Sequence, residues 1–160
     1  MNDRGGEADV SKRVAIIGGG FSGSMLAARL AEVGIASTLI DRTGAFGLGV
    51  AYSTPFDGHL LNVRSNRMSA IDGRPDEFVD WLTANHPEHA DPESFAPRQW
   101  YGRYVQDRLA GIEAAHPGRI NRVTGVAVAV EGATVRLADG RVVDADAVVL
   151  ATGNPAPRTA

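Results

Sequence analysis

Two hydrophobic periods take turns along this chain, and the first change between them is abrupt. Val14-Ala15-Ile16-Ile17 is a short, wholly apolar run, which suits a strand buried on both faces of a parallel sheet. It enters the turn Gly18-Gly19-Gly20, and an alanine-rich helical pattern follows over Ser22–Val33. There Leu26, Leu30 and Val33 recur at helical spacing as an apolar stripe, and Ala27, one turn beyond Gly23, continues a small face towards the strand. Gly34 is a stop signal, and Ile35–Asp41 predicts a second strand. Together these form a βαβ half-unit, whose crossover should be right-handed.

Residues Thr43 to Gly73 carry six glycine or proline interruptions (Gly44, Gly47, Gly49, Pro55, Gly58, Gly73) and no sustained period. Loops of this length are usually functional or disordered. Phe46, Val50, Tyr52, Phe56, Leu60, Leu61, Val63 and Met68 make the stretch too apolar for a solvated linker, so an ordered excursion over a ligand is expected. Pro75 should open a helix that buries Phe78, Trp81 and Leu82. His86–Pro97 reads as a loop. A further helix runs from Pro97 or Arg98 to about His116, with the stripe Tyr101, Val105, Leu109 and Ile112.

The last third is rich in strand patterns. Arg119–Val123 suits a parallel strand. Val126, Val128 and Val130 alternate with Ala127 and Ala129, and Thr134–Leu137 and Arg141–Asp144 flank Asp139-Gly140. That pair signals a hairpin whose two central residues both want positive φ. Ala147–Ala151 is again wholly apolar and should rejoin the parallel sheet, ending at Thr152-Gly153. The expected class is α/β, a Rossmann-like fold in which a central parallel sheet carries helices and an antiparallel β-meander in place of further βα units.

Composition adds limits. With 44% hydrophobic and 22% charged residues, the chain matches an ordinary globular domain. A net charge of −3 gives no reason to expect nucleic acid or an anionic membrane as partner. Cysteine is absent, which removes disulfides and fits a reducing, cytoplasmic setting. No apolar run is long enough to span a bilayer. Residues 1–12 read as a disordered leader, and 13–160 as the binding domain.

The glycines fit Gly18-x-Gly20-x-x-Gly23 between a strand and a helix, the context this motif requires. The first glycine permits the tight turn, the second lets a diphosphate approach the backbone, and the third allows close helix–strand packing. The helix starting at Phe21 and Ser22 aims its unpaired N–H groups and positive dipole end at the phosphates. Asp41, about 20 residues further on, can accept from a ribose hydroxyl. Its acidity favours an unphosphorylated ribose.

These residues resemble the N-terminal FAD/NAD(P)-binding domain of a bacterial flavoprotein family that includes flavin-dependent urate hydroxylases and aspartate N-monooxygenases. Besides the glycine turn with Ala27, the resemblance is carried by Gly47-x-Gly49-Val50-Ala51-Tyr52 and His59-Leu60-Leu61-Asn62-Val63 with Met68-Ser69-Ala70. Pro97-Arg98 with Tyr101-Gly102-x-Tyr104 and Leu150-Ala151-Thr152-Gly153 complete it. It implies FAD as cofactor, NAD(P)H as electron donor, and monooxygenase chemistry on a small polar molecule. It further implies that Gly18, Gly19, Gly20, Phe21, Ser22 and Gly23 cradle the diphosphate. Asp41 would hold the adenosine ribose, and Arg42 would stand on the adenine side. The Gly47–Tyr52 loop, with Gly49 and Tyr52, and Asn62 would approach the flavin half, with Thr152 and Gly153 closing the sheet beside the cofactor. Arg64 and Ser65 stand where relatives carry proline and alanine. Relatives are several hundred residues long, and no second glycine-rich turn appears here. The chain therefore reads as an isolated domain or a fragment, with catalytic residues unassigned.

Other readings carry less. An NAD-binding module shares the turn and Asp41 but leaves the excursion and meander unexplained; a remnant that binds nothing is a third reading. His86 and His89 lack a metal-ligand set and suit a solvated loop. Arg98, Arg103 and Arg108 fit a solvent face, while Trp100, Tyr101 and Tyr104 fit core packing. Ser53, Asp57 and His59 share a broken loop without a nucleophile elbow.

Overall fold

A computed structural model describes residues 12–154. The first apolar run forms β1 (Arg13–Ile17) and the second β2 (Ala36–Asp41), paired in parallel from Arg13↔Ala36 to Ile17↔Ile40. β3 (Ile120–Thr124) lies parallel outside β2, and β7 (Ala147–Leu150) parallel on the other side of β1. The order is β3-β2-β1-β7. A separate antiparallel sheet holds β4 (Ala127–Glu131), β5 (Thr134–Leu137) and β6 (Val142–Asp144).

The apolar residues of β1 and β2 have their cause in two cores. Ile16 and Leu39 point to helices α1 (Phe21–Glu32) and α4 (Arg98–Ala115), where they meet Ala27, Ala31, Leu109 and Ile112. Ala15 and Ile40 point the other way, onto Val135 and Leu137 of the meander. Period-two side chains covered on both faces favour apolar residues, and the only polar side chains buried in β2 are the small Ser37 and Thr38. This is the Rossmann-like α/β architecture the pattern predicts.

Several local expectations need correction. In α1 the buried residues are Gly23, Ser24, Ala27, Ala28 and Ala31, not the Leu26–Leu30–Val33 stripe. Leu26 and Leu30 pack at the margin, and Val33 lies beyond the helix, 59% exposed. The reason is proximity: a Cβ on Gly23 would stand 1.9 Å from the Gly18 carbonyl oxygen, so only small side chains fit this face. Helix α3 (Glu77–Asn85) starts after Pro75, because a turn in which the Glu77 N–H donates to the Arg74 carbonyl precedes it. Phe78 and Leu82 are buried there as expected, and in α4 so are Tyr101, Val105, Leu109 and Ile112.

At Asp139-Gly140 only the glycine has positive φ, +89°. The Gly140 N–H donates to the Leu137 carbonyl (3.1 Å), and the Leu137 N–H donates to that of Arg141 (2.9 Å). This is a three-residue loop with glycine in the left-handed position. A β-bulge between Ala127 and Ala129 interrupts the valine–alanine alternation, and Val126, Val128 and Val130 face solvent.

The 43–73 excursion is ordered. It contains α2 (Gly49–Tyr52) and a 3₁₀ turn, Ser65–Arg67. Its middle is pinned where the Leu61 N–H donates to the Ala96 carbonyl (2.9 Å) and the Ser65 N–H to that of Ser94 (3.0 Å). The expected leader falls almost wholly outside the described residues. Among the described residues, no helix is long and apolar enough to cross a membrane.

Candidate functional site

The parallel register brings the ends of β1, β2 and β7 to one edge, with the glycine turn between them. Gly18 has φ +112°, and a Cβ there would lie 2.2 Å from the Ala151 carbonyl oxygen. Its N–H donates to the Ile40 carbonyl (2.8 Å), which ties the turn to β2. Gly19 is crowded too: a Cβ would stand 2.7 Å from both Asp41 Cβ and a Phe46 ring carbon. Gly20 differs. Its φ of −70° and ψ of −166° are open to any residue, and an added Cβ would meet nothing nearer than Gly49 Cα at 3.4 Å. Folding requires glycine at 18, 19 and 23 and does not require it at 20.

Gly20 is also the N-cap of α1, with no side-chain cap and no acid in the first turn. The first intrahelical bond is donated by the Ser24 N–H to the Gly20 carbonyl (3.0 Å). The N–H groups of Phe21, Ser22 and Gly23 precede it, at the positive end of the dipole. Such an end suits an anion, and a diphosphate can come close over Gly20 because no Cβ stands there.

Asp41 lies beside this turn. Its Oδ2 accepts from the Gly19 N–H (2.9 Å). Its Oδ1 accepts from the Thr43 N–H (2.8 Å), the Thr43 hydroxyl (2.7 Å) and the Gly44 N–H (3.1 Å). Burial pushes the carboxyl pKa up, but these bonds outweigh it and hold the group below its ordinary value. The acceptor direction left open is on Oδ2.

The excursion seals the other flank. The Gly47 N–H and the Ser24 hydroxyl both donate to the Gly19 carbonyl, at 2.7 and 3.0 Å. Gly49 backs against Gly20. Tyr52 reaches Phe21 at 6.3 Å between ring centroids and Tyr101 at 4.7 Å. Helix α4 accepts this segment because Gly102 has no side chain; a Cβ would stand 2.7 Å from Leu48 and 2.8 Å from the Tyr52 carbonyl oxygen.

The structure thus brings together Gly18 to Gly23, Asp41, Gly49, Tyr52 and the Ala151–Thr152 end of β7. Thr152 and Gly153 are exposed, as is Ser22, so the crest of the turn is open. Arg42 and Asn62 are exposed, and neither side chain bonds to the turn among the described residues. Gly47 belongs to the loop expected to approach the flavin half; Thr43 and Gly102 complete the site without an expected role in it. For Thr43 the legible signal is Asp41-x-Thr43-Gly44, a side-chain-stabilised turn pattern, and for Gly102 its motif block.

The discounted candidates have structural partners. His86 stacks on Trp100 at 3.7 Å, and no group of three or more metal-ligating side chains occurs among the described residues. Arg108 is no solvent-face residue: it is half-buried and pairs with Glu32 (2.9 Å) and Glu77 (3.3 Å). Asp57 accepts from Gln99, and His59 shares a bond with Thr54 (2.9 Å).

A search of curated proteins found no match. Among solved structures, the fold is similar to cyclohexanone monooxygenase bound to epsilon-caprolactone (TM-score 0.58, 19% identity, 89% of this chain and 27% of that one). It is similar to the Diels-Alderase PyrE3 of the pyrroindomycin pathway (0.57, 20%, 89% and 32%). It is also similar to the tetrameric form of 2-methyl-3-hydroxypyridine-5-carboxylic acid oxygenase (0.54, 20%, 87% and 38%). The chain spans between 27% and 38% of these three. A model of the FAD-NAD(P)-binding family matches residues 15–155, and the chain belongs to that family.

Proposed function

We propose that this domain holds FAD within an NAD(P)H-dependent flavin oxidoreductase, of the monooxygenase type, acting on a small polar molecule. The observation that carries the reading is Gly20, a glycine the fold does not need at the tip of an uncapped helix. In this reading Gly18 to Gly23 hold the diphosphate, and Asp41 Oδ2 takes a ribose hydroxyl. Arg42 stands on the adenine side. Gly49, Tyr52 and Asn62 serve the flavin half, and Thr152 and Gly153 flank it from β7. When bound, FAD would supply electron transfer between the nicotinamide donor and an acceptor, while the protein supplies position and electrostatics. The finer kinship with urate hydroxylases and aspartate N-monooxygenases belongs to this proposal, supported by the motif blocks at 47–52, 59–63 and 97–104.

The same turn could take NAD directly. Calorimetric titration separates the two: FAD binds saturably and NADH at least about tenfold more weakly, a gap of about 1.4 kcal/mol. Tighter NADH binding would overturn the assignment in favour of an NAD module. Failure of both would leave a fold that binds nothing.

A further inference from the structure

Next to the glycine turn the excursion forms a second feature, an open groove of about 480 Å³ whose lining is mostly exposed. That is within the range of about 300–1,000 Å³ typical of small-molecule sites. Val50, Ala51 and Leu60 give it an apolar wall, and Thr54, His59 and Arg98 a polar one. It begins where α2 leaves the turn, since Gly49 packs on Gly20 and Val50 is the next residue.

Arg98 sets its character. Several arginines are neutralised at close range, Arg64 by Glu93, Arg108 by Glu32 and Glu77, and Arg122 by Glu113. Arg98 is half-buried and pairs with no carboxylate among the described residues. It is nevertheless held in place, because its Nε donates to the Leu60 carbonyl (3.0 Å) and its N–H to that of His59 (2.8 Å). Burial raises the pKa of the neighbouring Tyr52 phenol, and the Arg98 charge opposes that rise. Among the described residues no acidic side chain lines the groove. A fixed guanidinium without a counter-ion, facing apolar side chains, suits a carboxylate on an apolar body.

We propose that this groove is the acceptor-substrate site and takes a small organic carboxylate. Arg98 binds the carboxylate, and Val50 and Leu60 contact the apolar part. The assignment as substrate site rests on the FAD reading of the neighbouring turn; the preference for a carboxylate does not.

The test is titration of the full chain, followed by NMR, with benzoate and with its neutral analogue benzamide, in the absence and presence of saturating FAD. Benzoate should saturate and bind at least about tenfold more tightly than benzamide, because a charge-assisted bond is lost in the amide. Arg98→Gln should abolish that preference, and Arg98→Lys should retain part of it. If Arg98→Gln lowers the melting temperature through its lost bond to Leu60, Val50→Glu decides. Val50 is 84% exposed, so this variant should fold normally yet bind benzoate about fivefold more weakly, since its carboxylate would compete for the guanidinium. Equal binding of both probes, no saturation by benzoate, or unchanged affinity in Val50→Glu would overturn the proposal. Displacement of benzoate by FAD would overturn it too, by giving the groove to the cofactor. Benzoate binding without FAD binding would remove the flavin reading and the substrate role while the carboxylate preference stands.

Discussion

Gly18, Gly20 and Gly23 share one motif but answer to different constraints. Position 23 is governed by contact: its Cβ would overlap the Gly18 carbonyl oxygen at 1.9 Å. Gly23→Ala should gain about 1 kcal/mol of helix propensity and lose more to overpacking, which costs about 1–3 kcal/mol. Urea denaturation should therefore show a lower midpoint. Asp41 makes a pH-dependent contribution. Its folded pKa is lowered, so its stabilisation is complete above the ordinary value of 3.8 and is lost as pH falls through the lowered folded value. Asp41→Asn should flatten stability between pH 3.8 and the acid limit, and should cost about 1–3 kcal/mol at neutral pH by disrupting the bonds to Gly19 and Thr43. The spacing of Gly18, Gly20, Gly23 and Asp41 was legible in the chain. Of the four bonds Asp41 accepts, those from Thr43 and Gly44 have only the Asp41-x-Thr43-Gly44 turn pattern as a signal, and the one from Gly19 has none, because it depends on the β1–β2 register.

Among elements, α4 is the one on which the site is assembled. Gly102 admits α2, and Tyr104 anchors the excursion, its hydroxyl accepting from the Ala70 N–H (3.0 Å) and donating to Glu77. Burial and the bond to Glu77 push the Tyr104 phenol up to about 12, so it stays protonated and a donor through the neutral range. Tyr104→Phe should cost about 1–2 kcal/mol, and hydrogen exchange should accelerate at the Ala70 amide while β1 and β2 stay protected. If Ala70 kept its protection, the hydroxyl would not be holding the excursion. The stripe Tyr101–Val105–Leu109–Ile112 made α4 visible from its period alone. α1 is visible as a helix, and the spacing of Gly23 and Ala27 shows its small face towards the strand; the leucine stripe is not its buried face, because the helix lies too close to β1 for either leucine to enter. The meander was legible as strands, and its bulge at Ala127–Ala129 was not, since a one-residue slip leaves the composition unchanged.

For the molecule as a whole, the parallel sheet serves as a partition. Helices cover one face, the meander covers the other, and the strand ends meet the glycine turn at one edge. That arrangement places ligand chemistry outside the carboxyl ends of the strands, as open α/β sheets do. The excursion was expected to lie over a ligand; it flanks the turn and holds a groove, with Val50, Phe56 and Leu60 exposed around it. The measurement that addresses the central claim most directly is FAD titration of the natural chain beside Gly20→Ala, followed by flavin absorbance and by melting temperature. The added methyl meets only ordinary contact at 3.4 Å, so both proteins should melt alike. The natural chain should take up FAD saturably, and Gly20→Ala should bind at least about tenfold more weakly, because its methyl stands where the diphosphate must approach. Equal FAD binding by the two proteins, or none by the natural chain, would contradict the account.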